Sequence, residues 1–415
     1  MIPVTVEKGH SSIPSKPPSL ELADIFRRYG KEYRAGHRLS GKQLSVMSDI
    51  EGCRTGRFGY HLDICDECGH LEYSYNSCRN RHCPRCQGIA RRRWVNARLN
   101  DLLPIPYYHA VFTLPHTIFP LSLYNKTLIY ELLFQSAAET LLQFGNDPKW
   151  LGALIGFYGI LHTWGGKIWQ HLHLHFIVTG GGLSEDGRWI EPKHKGRFLF
   201  PVCALSEVFR GKFIEGLKKA YYGGELTIPD QLRYLEREEE FERWIDILVA
   251  RNWVVYSKSP FDTPQSVVRY IGRYTHRVAI SNDRLISMDD GKIKFKYRDY
   301  KNKGVWRTAI LTAEEFIKRF LMHVLPDGFH RIRHYGILAN GRCKAKVKQI
   351  RSILSTEGRL SDEPSAARDL EILSGITCPA CGKGKLRTAY TVYPFGIILS
   401  GTFIALFGNT ALDTS

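Results

Sequence analysis

A chain that mixes helices with strands, and that leans on bound metal near its amino terminus, is what the sequence predicts, from three observations. Segments 107–115 and 154–178 carry the β-branched, aromatic and alternating residues that suit pleated strands. Segments 20–33, 123–144 and 204–250 instead repeat their apolar residues at helical spacing. Between Cys53 and Cys86 the composition turns to Cys, His, Gly and Arg, with too little apolar material for a core, so metal must supply the missing stability.

Taken in order, residues 1–20, with "SSIPSKPPS", form a loose tail. "LELADIFRRYGKEY" predicts an amphipathic helix and "GKQLSVMSDIEGC" a second. After the basic helix "ARRRWVNARLNDLLP" comes the strand "YYHAVFTLP", and then the helix "LYNKTLIYELLFQSAAETLLQF". "ALIGFYGILHTW" reads as a strand that turns at Gly165-Gly166 into "QHLHLHFIVTGGGL", making a hairpin. Strand "NWVVYSK", helix "TPQSVVRYIGRYTHR" and a strand pair around "ISMDDGKIKFKYRD", with Asp-Gly at its turn, follow the helical 204–250 region. The last hundred residues read as helical and basic, with a second CxxC, and there is no internal repeat.

At 415 residues and 43% hydrophobic content the chain can build two or three real cores, which excludes a disordered protein. A formal charge of +17 points to a polyanion as partner. Basic clusters at 91–94, 295–307 and 331–351 are interleaved with Tyr, Trp and Phe, which favours nucleic acid: bases stack on the rings while phosphates meet the cations. The amino terminus shows no secretory pattern, and the apolar stretch 393–408 is broken by Gly and Pro and shorter than the roughly 20 residues that span a bilayer. A soluble cytoplasmic protein without membrane contact is expected, whose ten cysteines serve as metal ligands or buried thiols rather than disulfides.

The CxxC pairs Cys65/Cys68 and Cys83/Cys86 are knuckles at a spacing suited to one tetrahedral zinc, so these four are the expected ligand set. Cys53, His61, Cys78 and His82 could hold a second, interleaved zinc, and ligands could be exchanged between the two sets. Either zinc would be structural, since four protein ligands leave no position for substrate. Cys378 and Cys381 make a further knuckle but only half a site, with Cys343 or His334 as possible partners, or else a plain reduced pair. Cys203 reads as a core thiol.

His171, His173 and His175 alternate with Leu172, Leu174 and Phe176, so on a strand all three face one side. Same-face neighbours lie roughly 6.6 to 6.8 Å apart and the outer pair roughly 13 Å, so one ion can take two of the three, and His173 belongs to either pair. Farther along, Tyr270 and Tyr274 stand one helical turn apart, flanked by Arg269, Arg273 and Arg277. A phenol with a pKa of about 10 becomes a nucleophile when cations or a metal stabilise its phenolate and polarise a phosphate. Beside a His-bound ion, such a tyrosine could attack a DNA phosphate, leaving a 5′ phosphotyrosine and a 3′ hydroxyl and needing no ATP to rejoin the strand.

"HLHLHFIVTGGGL", then "YIGRYTHRVAISN", preceded by "SYNSCRNRHCPRCQ" and "FTLPH" and followed by "FIKRFLMHVLPDGFHRIRHYGILAN", closely resembles the HUH transposases of the insertion sequence ninety-one family from about residue 20 to 350. The resemblance implies that His173 and His175 are the metal pair, with His171 a neighbour, and that Tyr270 and Tyr274 are tandem nucleophiles. It implies an α+β fold: a nuclease domain whose central antiparallel sheet is flanked by helices, a small amino-terminal zinc-binding domain, and a basic helical extension. The corresponding boundaries are 21–100 for the zinc and DNA-binding region, 101–310 for the nuclease, 311–352 for the extension and 353–415 for a tail of unassigned role. The implied process is rolling-circle-like transposition through single-stranded DNA at element termini and target.

The third metal ligand is left open: His162, on the strand paired with the histidine strand, is one candidate, and a carboxylate or glutamine elsewhere is another. Two imidazoles suit manganese, cobalt or nickel, whereas cellular abundance favours magnesium, so the expected ion is Mg2+ or Mn2+. Competing readings are a plasmid relaxase or replication initiator, which shares the chemistry, and a non-catalytic zinc regulator that only binds DNA.

Overall fold

The computed structural model describes residues 20–88, 102–193, 199–258, 266–267, 278–299, 302, 304–341, 343–356, 376–394 and 396–399. Helices α1 (Leu22–Gly36) and α2 (Gly41–Glu51) open the chain. On α1, Leu22, Ile25, Phe26 and Tyr33 recur on one face and are buried. Ser40 caps α2 by accepting from the Gln43 backbone N–H, while the Gln43 side chain accepts from the Ser40 N–H. This helical pair shares a buried cluster with Phe316, Ile317 and Phe320 of a helix far downstream, and Phe26 meets Phe320 edge to face at 5.5 Å.

Strands β1 (Tyr60–Cys65) and β2 (Leu71–Tyr75) form a hairpin after α2. Strand β3 (Tyr107–Thr113), helices α3 (Phe119–Tyr124) and α4 (Lys126–Asn146), and strands β4 (Gly156–Trp164) and β5 (Gln170–Thr179) follow. The short pair β6 (Gly182–Leu183) and β7 (Trp189–Ile190) leads to helices α5 (Val202–Tyr222) and α6 (Glu238–Val249), then strand β8 (Val255–Lys258). Strands β9 (Leu285–Asp289), β10 (Lys292–Asp299) and β11 (Val305–Thr312) make a three-stranded meander, with Asp290 and Gly291 both at positive φ in the turn foreseen from Asp-Gly. Helix α7 (Ala313–Met322), strand β12 (Ile332–Gly336), helix α8 (Cys343–Thr356) and strands β13 (Leu386–Tyr393) and β14 (Gly396–Leu399) complete the described chain.

The centre is a five-stranded sheet in the order β12-β4-β5-β3-β8, antiparallel throughout, so the chain has the α+β architecture the sequence resemblance implied. One face carries Phe112, Leu161, Leu174 and Phe176 into a buried cluster with α4, α5 and α6. Gly159 belongs to this face because a Cβ there would lie 2.6 Å from the Phe176 ring and 3.2 Å from that of Phe134 on α4. The opposite face carries Tyr158, Ile160 and Ile177 into a second cluster that also holds Val267 and Val347.

Strand β11 extends the expected strand pair to three, and β12 stands within the stretch expected to be helical and completes the edge of the central sheet. A five-residue edge strand with a charged residue among its first two positions presents too little alternation to be told from its surroundings. Cys203, read as a core thiol, lies exposed near the start of α5. No described helix is long and apolar enough to cross a membrane.

Candidate metal and DNA site

The register of the central sheet builds the site. His162 on β4 stands directly opposite His173 on β5, and His175 is flanked by Ile160 of β4 and Val111 of β3. Residues opposite each other in an antiparallel ladder share a face, so His162, His173 and His175 converge. Their ligand nitrogens all lie within 4.8 Å of one another and all three side chains are buried. His171, one step outward, does not join this group; its backbone carbonyl accepts a 2.9 Å hydrogen bond from Nδ1 of His173. A carbonyl can only accept, so His173 carries its proton on Nδ1 and its lone pair on Nε2.

His175 is set by a residue that sequence reasoning passed over. Nε2 of His109, on β3, lies 2.9 Å from Nδ1 of His175 with the two rings stacked. Burial, aided by Lys258, pushes His109 down to about 4, so it is neutral at pH 7. The indole of Trp164 stacks on His162 at 4.7 Å. Three imidazoles with fixed rings are a good donor set for a divalent transition metal, whereas magnesium takes mainly oxygen ligands.

These histidines floor an open cleft of about 1270 Å³. Its walls hold Trp169, Tyr256, Tyr297 and Trp306 among Lys167, Lys258, Arg284 and Arg298, a mixture of rings and cations suited to a single strand. Trp169 and Trp306 are 53% and 59% exposed, and the Arg319 guanidinium sits 3.4 Å from the centre of the Trp169 ring. Buried Arg284 donates to the Gly166 and Lys296 carbonyls, tying the β4–β5 turn to the meander that forms the facing wall. Tyr270, Tyr274, Arg269, Arg273 and Arg277 lie outside the described residues.

The cysteines divide differently from the expected set. Cys83 and Cys86 gather with Cys53 and Cys78, while Cys65 and Cys68 gather with Cys378 and Cys381. The β1–β2 hairpin is the reason. Tyr60 pairs with Tyr75, so Cys53 and Cys78 meet beyond the open end of the hairpin, whereas Cys65 and Cys68 lie at its turn, roughly 17 Å away for a five-residue strand. The interleaved set is not formed either: His61 lies 3.0 Å from the Asn76 side-chain oxygen, and buried His82 accepts from the Leu325 N–H. In the first cluster, sulfur separations of 3.5 to 3.7 Å match the edge of about 3.8 Å for a tetrahedron with Zn–S near 2.3 Å, so these thiols fit a zinc ion. Cys343, offered as a partner for the second CxxC, is buried at the start of α8 and joins neither group.

Residues 25–114 match the family described as "Transposase zinc-binding domain", and residues 156–346 match that described as "Putative transposase". A "Putative transposase y4qJ" from Sinorhizobium fredii (strain NBRC 101917 / NGR234) is 47% identical over 377 residues, covering 89% of this chain and 94% of that one. The chain belongs to the insertion sequence ninety-one family of transposases. The "Transposase for insertion sequence element IS801" of Pseudomonas savastanoi pv. phaseolicola is 29% identical over 370 residues, 86% of either chain. No solved structure matches. The first match takes in most of α1, all of α2 and the Cys53 cluster, and the second contains both strands that carry the histidine triad.

Proposed function

We propose that this transposase nicks and rejoins single DNA strands through a tyrosine ester, with the scissile phosphate held at the His162, His173 and His175 triad. The convergence of the three imidazoles on the floor of a cationic, aromatic cleft carries the reading. A divalent ion bound there, Mn2+ or Mg2+, would supply positive charge to the non-bridging phosphate oxygens. Nδ1 of His173, held by the His171 carbonyl, presents Nε2 as the donor nitrogen, and His109 does the same for His175 when Nδ1 of His175 is the proton donor of that pair.

Tyr270 or Tyr274 is the nucleophile. Its phenolate oxygen attacks phosphorus, the P–O3′ bond breaks, and the 3′ oxygen takes up a proton, leaving the 5′ phosphate esterified to tyrosine. Attack by a 3′ hydroxyl on that ester reverses the step without ATP. Arg269, Arg273 and Arg277 neutralise the phosphates beside the nucleophile. The substrate is single-stranded DNA at element termini and target.

The test is incubation of the protein with end-labelled single strands carrying the element terminus and Mn2+ or Mg2+, followed by denaturing electrophoresis and peptide mapping. A chelator-sensitive adduct on Tyr270 or Tyr274 is expected. Specific binding with no adduct would instead mark a DNA-binding regulator.

A further inference from the structure

We infer that Cys65, Cys68, Cys378 and Cys381 form a second zinc site, built from both ends of the chain, that fastens the carboxy-terminal strands to the amino-terminal head. It stands independently of the strand-nicking reading. The sulfurs of Cys65 and Cys381 are 3.8 Å apart and those of Cys68 and Cys378 3.7 Å, and all four lie within 4.8 Å of one another. These separations match the tetrahedral edge of about 3.8 Å around zinc and are far beyond a disulfide bond of about 2.05 Å.

The two halves are built alike. Cys65-Asp-Glu-Cys68-Gly69 and Cys378-Pro-Ala-Cys381-Gly382 each close with the glycine N–H donating to the carbonyl of the first cysteine, at 3.2 and 3.0 Å, and each glycine has a φ near +70°. Backbone N–H groups of Glu67 and Gly384 point at the sulfurs of Cys65 and Cys381, at 3.4 and 3.3 Å, as donors that stabilise thiolates. Gly384 is required by the packing: a Cβ there would sit 2.4 Å from the Cys65 sulfur.

Apolar burial does not explain the gathering. The cluster contains only Cys65, Cys378 and Leu386 as buried members, with Cys381 against them. Yet β13 pairs with β1 over Tyr60–Cys65 and makes the head a four-stranded sheet, β14-β13-β1-β2. Closing so long a loop without a core costs several kcal/mol of chain entropy, which metal ligation offsets. Four thiolates saturate the ion, so the site is structural.

Zinc per chain, measured by mass spectrometry on full-length protein in which His173→Ala/His175→Ala removes the histidine triad as a third site, should be two. It should fall to one in Cys378→Ser/Cys381→Ser, to one in Cys65→Ser/Cys68→Ser, and to no less than one when all four are replaced, because both pairs serve one ion. Two zincs retained in either double variant would overturn the site. A second measurement does not depend on a variant's folding: with a protease site inserted between residues 356 and 376, the cut tail should stay with the body on gel filtration in zinc and separate after chelation. A tail that leaves while zinc is present would equally refute it.

Discussion

The ring of His109 stacks on that of His175 with their nitrogens 2.9 Å apart, joining neighbouring strands directly beneath the triad. Partners of this kind fix the orientation and basicity of a metal-binding imidazole, and their loss typically costs about 10- to 100-fold in affinity. His109→Phe should therefore raise the Mn2+ concentration needed for half-maximal nicking by that factor, with activity recovering at high Mn2+. His109→Gln should recover part of the loss at low Mn2+. An unchanged metal requirement would reduce His109 to a packing residue.

His323 is fully enclosed, accepting from the Thr163 hydroxyl and donating to the Ile168 carbonyl. Burial pushes it down to about 4, so the folded state resists its protonation. Between pH 6.5 and 4 the unfolded chain binds more protons at this group than the folded one does, so its contribution is present above that window and is lost as pH falls through it, up to about 3 kcal/mol. Urea midpoints compared at pH 7 and 4.5 should fall less for His323→Gln than for the parent.

Trp169 and Trp306 offer exposed rings in the cleft. If bases stack on them, Trp169→Ala and Trp306→Ala should each weaken single-strand binding by about 1 to 3 kcal/mol, with little effect on thermal stability. Fluorescence anisotropy with an unstructured oligonucleotide reads this directly. Equal affinities in parent and variants would move the strand's path elsewhere.

Gly336 ends β12 at φ +59°, where a Cβ would collide with the Ile155 carbonyl. Gly336→Ala should destabilise the chain by at least about 2 kcal/mol and loosen the β4 edge that presents His162. Hydrogen exchange across residues 156–164 should quicken; unchanged protection would show that the edge strand yields without cost.

Local chemistry was legible in the residues themselves. Alternation at 170–179 made a strand with histidines on one side, and helical spacing at 20–33 and 123–144 made amphipathic or buried helices, because side-chain direction follows backbone period. His162 was within reach as well, since a hairpin at Gly165-Gly166 sets it opposite the histidine strand. His109 was not: a lone imidazole in "YYHAVFT" becomes significant only when β3 pairs with β5. The zinc sets were misjudged for the same reason.

Thus the sequence by itself determined the ligand types, the local strands and helices, the preference for a polyanionic partner and the family. Tertiary structure alone decided which cysteines gather together and which histidine stands beside which. The physical reason is range: periodicity and knuckle spacing are properties of a few consecutive residues, whereas the meeting of Cys65 with Cys381 depends on a register between strands more than three hundred residues apart.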